Sequence, residues 1–121
     1  MSEREQSLAK LAADVPASAA AGRGRKRVLV VEDDAVMRLL LMSKLRAAGL
    51  EVDVASNGNL ALKKLAGGQF DAIFLNPVLP DFQGVEVIKE ARQDPKFASR
   101  PIYICTSALP ASVSAGQATR A

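Results

Sequence analysis

Asn76 stands where the surrounding residues call for an anion. It follows an apolar run, Phe70-Asp71-Ala72-Ile73-Phe74-Leu75, and opens the turn Asn76-Pro77-Val78-Leu79-Pro80-Asp81-Phe82-Gln83-Gly84. A second apolar run, Val28-Leu29-Val30-Val31, delivers Glu32-Asp33-Asp34. If both runs are strands of one parallel sheet, their ends bring acids on one side to a neutral amide on the other. Acids so placed suit a hard cation, and a carboxylate facing that cation suits phosphoryl transfer. A carboxamide cannot ionise and is a poor nucleophile. Conversion of Asn76 to aspartate through a succinimide is blocked as well, because Pro77 has no N–H to attack with.

Positioning these groups requires strands that alternate with helices. Residues 28–31 are apolar throughout and, apart from Leu29, β-branched, as in a strand covered on both faces. Asp34 can cap the next helix, in which Met37, Leu41, Leu45 and Ala48 recur at the helical period and Gly49 supplies the stop. The remaining pattern predicts a strand at 51–55, a turn or cap at Asn57-Gly58, a helix at 60–66, a strand at 70–75, a helix at 85–92 and a strand at 102–105. The order β-α-β-α-β-α-β implies an α/β domain with a parallel sheet. Ahead of it, Ser2 and Glu5 form a capping box, and Leu8, Leu11, Ala12 and Val15 recur at helical spacing up to Pro16. A short amphipathic helix over 2–15 is expected to form only when docked, because its nucleation is costly in water.

The chain has 121 residues, 49% hydrophobic, with a net charge of +3, which is one domain's worth of chain. Its basic excess is local, since Arg4, Lys10, Arg23, Arg25, Lys26 and Arg27 precede the first strand. That cluster could attract nucleic acid, but it has no aromatic residue to stack on bases, so nucleic acid is disfavoured as a partner. No His and a single Cys105 exclude His-based triads and Cys/His zinc sites. A lone cysteine suits a reducing, cytoplasmic setting, and no apolar stretch is long enough to span a membrane.

Taken jointly, VLVVEDD, FDAIFLNPVLPDFQG, the helix that follows and PIYICTSA make residues 28–108 resemble the receiver domain of two-component response regulators, the flavodoxin-like fold of the CheY type. The resemblance assigns the phosphoacceptor position to Asn76, the acidic pair that helps hold magnesium to Glu32 and Asp33, the carbonyl that completes the metal site to Val78, and the switch hydroxyl to Thr106. It also implies a lysine on a fifth strand, and 109–121 contain no lysine. The expectation is therefore a truncated receiver of about four strands and three helices with an N-terminal helical extension: 1–27 helix and basic linker, 28–109 receiver, 110–121 flexible tail.

Function follows from that resemblance as an expectation. With no anionic nucleophile and no lysine, the protein should be a non-catalytic, phosphorylation-independent regulator acting by contact with a histidine kinase, a phosphotransfer protein or another receiver. No cofactor is required, and magnesium should bind weakly at Glu32, Asp33 and Val78. A bared strand edge and sheet face, with Leu8, Leu11, Val15, Ile102 and Ile104 as candidate interface residues, predict a homodimer, with the N-terminal helix docked either in its own chain or on the second copy. The alternatives are phosphorylation at another acid, such as Asp33 or Asp81, and nucleic-acid binding through the basic linker.

Overall fold

The computed structural model describes residues 12, 13, 15, 24–81 and 84–105, together with the backbone of 119 and 120. Leu8, Leu11 and Thr106 lie outside the described residues. Five strands, β1 (Arg27–Val31), β2 (Glu51–Ala55), β3 (Ala72–Leu75), β4 (Ile102–Ile104) and β5 (Thr119–Arg120), form one sheet in the order β2-β1-β3-β4-β5. The first four are parallel, and the helices α1 (Ala35–Ala47), α2 (Gly58–Gly67) and α3 (Gly84–Gln93) connect them in the expected alternation. Among the described residues no helix is long and apolar enough to cross a membrane.

Local chemistry sets the boundaries. Asp34 caps α1 by accepting from the N–H groups of Val36 and Met37 at 2.9 and 3.4 Å, and Gly49 ends that helix at φ 93°, a conformation that favours glycine. The second helix starts at Gly58, earlier than the periodicity predicts, because Asn57 is its N-cap and accepts from Leu60 N–H at 2.8 Å. The third strand starts at Ala72 rather than Phe70. Phe70 lies under the Arg27 guanidinium, 4.9 Å from the ring centroid, and the Asp71 carboxylate accepts from Arg27 N–H at 2.7 Å.

Alternation along the strands divides the core in two. Leu29, Val31, Ile73, Leu75 and Ile102 pack with Ala61 and Leu65 of α2 and Val87 and Ala91 of α3. On the other face Val28, Val30, Ala72, Phe74 and Tyr103 pack with Leu41 and Leu45 of α1, and with Ala12 and Val15.

Two expectations change here. Ile102 is fully buried in the first core and Val15 is buried within its own chain, so neither lines a free interface, while Ile104 is half-buried against that core. The outer edge of β4 is not bare: Tyr103 pairs with Arg120 and Ile104 with Thr119 in antiparallel register, inside the segment expected to be a flexible tail. A run of two residues is too short to give a strand signal in sequence; they pair because the open N–H and C=O groups of β4 take a backbone in reach.

Candidate functional site

Parallel register builds the site. Val31 of β1 lies opposite Leu75 of β3, so the next residues, Glu32 and Asn76, leave the sheet side by side. Asn76 N–H donates to Val31 C=O at 2.9 Å, and Glu32 N–H donates to Ala55 C=O at 3.0 Å. Both backbones are thus locked before the side chains are placed.

The Asn76 amide is satisfied at both ends. Its Oδ1 accepts from Val78 N–H at 3.0 Å, and its Nδ2 donates to Asp33 Oδ1 at 3.4 Å. The first contact is an Asx turn, which holds the Asn76-Pro77-Val78 loop shut. Asp33 and Asn76 are thereby brought together as the sequence predicts. Val78 joins them through its N–H; its side chain is exposed.

Glu32 is 2% exposed, and its Oε1 has no hydrogen-bond partner. Burial raises its carboxyl above the usual range; interaction with the Asn76 side chain lowers it, the charges of Asp33 and Asp34 raise it, and the Arg38 charge lowers it. Cys105, at the end of β4, is pushed up to about 12 by burial and by the Glu32 charge. A thiol held that high is not a nucleophile.

The donor set does not fit a magnesium-dependent phosphoacceptor. Two carboxylates and a carbonyl remain from the expected set, and an amide N–H donates to one of those carboxylates. Among the described residues no group of three His, Cys, Asp or Glu side chains could hold a metal ion. A hard cation loses both an anionic ligand and an open carboxylate oxygen here.

Three further residues shape the site. Arg38 Nη1 donates to the carbonyls of Glu32 and Asp33 at 2.9 and 3.2 Å, fixing the acidic turn from α1. Its spacing from the acids matches no helical or strand period, so sequence held no signal for it. Asp81, considered as an alternative phosphoacceptor, caps α2 with both oxygens, accepting from Gly58 N–H at 2.9 Å and Asn59 N–H at 2.8 Å. Gly84 starts α3 so close to the site turn that a Cβ there would meet Pro77 Cα at 2.7 Å, and its N–H donates to Pro77 C=O at 2.8 Å.

Comparison with known proteins shows the family. The family described as the response regulator receiver domain matches residues 28–120. The alkaline phosphatase synthesis transcriptional regulatory protein PhoP of Bacillus subtilis is 41% identical over 68 residues, which are 56% of this chain and 28% of PhoP. The chain thus spans about a quarter of the length of such curated relatives. Among solved structures, the response regulator TrrA of Thermotoga maritima in complex with Mg2+ and BeF is similar with a TM-score of 0.62 and 36% identity, covering 74% of this chain and 81% of that one. The complex of the histidine kinase ThkA with TrrA matches with a TM-score of 0.63 and 35% identity, covering 74% and 80%.

Proposed function

Because the chain belongs to the response regulator receiver domain family, we propose that it works as a receiver-like partner in two-component signalling that binds without being phosphorylated. The observation that carries this reading is the closed amide at position 76, which donates to Asp33 and accepts from Val78 N–H. Phosphoryl transfer needs an anionic nucleophile facing a cation. Here the same geometry is filled by a neutral group whose hydrogen bonds are made internally.

Binding has a surface available to it. On α1, Val36 is 76% exposed, Leu39 60% and Leu40 45%, an apolar stripe beside the acidic turn. Arg38 ties that helix to the carbonyls of Glu32 and Asp33, so the stripe is anchored to the acidic turn. A histidine kinase or a phosphotransfer protein with an apolar helix face is the partner this surface suits, and the ThkA complex with TrrA supports a kinase. Magnesium binds weakly in this reading and is not required. A homodimer forms no part of it, because Val15 is buried against its own chain. Nor does phosphorylation at Asp81, whose two oxygens are taken up in capping α2.

The test is titration of the wild-type chain, Asn76→Asp and Leu39→Lys against the dimerisation domains of candidate kinases, with phosphodonor and magnesium present or absent. Wild-type affinity should be unchanged by phosphodonor, and Leu39→Lys should weaken it at least tenfold. Affinity that appears only in Asn76→Asp would reject phosphorylation-independent binding.

A further inference from the structure

On the α1 side of the sheet, Val28, Val30, Ala72, Phe74 and Tyr103 present one continuous apolar surface. Helix α1 covers part of it through Leu41 and Leu45, and the cover is completed by Ala12 and Val15, which are 3% and 1% exposed. These two residues lie three apart, on one face of a helical turn, and Val15 N–H donates to Ala12 C=O at 3.4 Å. Tyr103 packs against Phe74 at 5.0 Å between ring centroids within the same cluster.

From this packing we infer that Ala12 and Val15 act as an intramolecular strap, a working part of the domain that closes the second core from the N-terminal side. A short segment of this kind gains too little on its own to stay helical in water, so burial is what orders it. The core they join includes Tyr103 of β4, the strand that leads into Cys105. The strap therefore shares a core with β4. The inference is independent of kinase binding and of the chemistry at Asn76.

Tyr103 is the single tyrosine, and the chain has no tryptophan, so the near-ultraviolet circular dichroism of tyrosine reports on this packing directly. In the full chain, Val15→Asp should abolish that signal and lower the melting midpoint by about 10 °C, while Val15→Ile keeps both. Where Val15→Asp fails to fold, Val15→Ala reads the same contact without a buried charge and should lower the midpoint by about 5 °C. Sedimentation should give a monomer at all concentrations. A tyrosine signal and midpoint unchanged in Val15→Ala overturn the inference. So does a wild-type dimer that Val15→Asp converts to monomer, since the strap would then sit on a second copy.

Discussion

Replacing Asn76 with aspartate exchanges a hydrogen bond for a repulsion. The amide Nδ2 lies 3.4 Å from Asp33 Oδ1, so the new carboxylate would face an existing one at that distance. Two like charges this close repel by ~5 kcal/mol at an effective dielectric of ~20, and the buried Glu32 adds to it. Side-chain movement and partial protonation relieve part of this repulsion. A net loss of ~2 kcal/mol at neutral pH lowers the melting midpoint by roughly 10 °C. The sign of the pH dependence is fixed: the new carboxyl has its folded pKa raised, so the loss is absent below the ordinary aspartate range and grows as pH rises through that folded pKa. A divalent cation should reverse it, since ligand at 100 times its Kd returns ~2.7 kcal/mol. Differential scanning fluorimetry of both proteins, at acidic and neutral pH, with and without magnesium, measures all three effects. Equal midpoints without magnesium, or an equal magnesium response in the wild type, would refute the reasoning.

Other perturbations test neighbouring parts of the account. Gly84→Ala forces a Cβ to 2.7 Å from Pro77 Cα and should cost ~1–3 kcal/mol in denaturant unfolding. Cys105 is half-buried and should alkylate more slowly at pH 8 in the native state than on unfolding, because burial and the Glu32 charge push its thiol up to about 12; native-state labelling at the rate of a free thiol would contradict that shift. Asp53 is subject to burial, which raises its pKa, but the Lys64 hydrogen bond, the Val54 N–H and the Lys64 and Arg27 charges outweigh it and lower the carboxyl. That stability is present above the ordinary aspartate pKa and lost as pH falls through the lowered value. Asp53→Asn should therefore be less stable than wild type at neutral pH by under ~1 kcal/mol, the pair being partly exposed, and equal to it in strong acid.

What the sequence made legible was what repeats or punctuates. Four parallel strands and three helices follow from apolar runs, the caps at Asp34 and Asn57 and the stop at Gly49. The meeting of Glu32, Asp33 and Asn76 follows because strand ends in adjacent parallel strands must lie together. What stayed illegible depends on distances between elements. Arg38 grips two carbonyls across a turn, Asp81 caps a helix more than twenty residues before it, and Gly84 is needed because α3 starts against Pro77. None of these has a period. The pairing of Thr119–Arg120 with β4 depends on an open edge in space rather than on any strand propensity of two polar residues.

The most direct measurement is the intact mass of wild-type protein after incubation with a small phosphodonor and magnesium, made on a sample that binds its kinase partner. The account predicts an unmodified mass and undiminished binding. A stoichiometric phosphoryl adduct on the wild-type chain would contradict it.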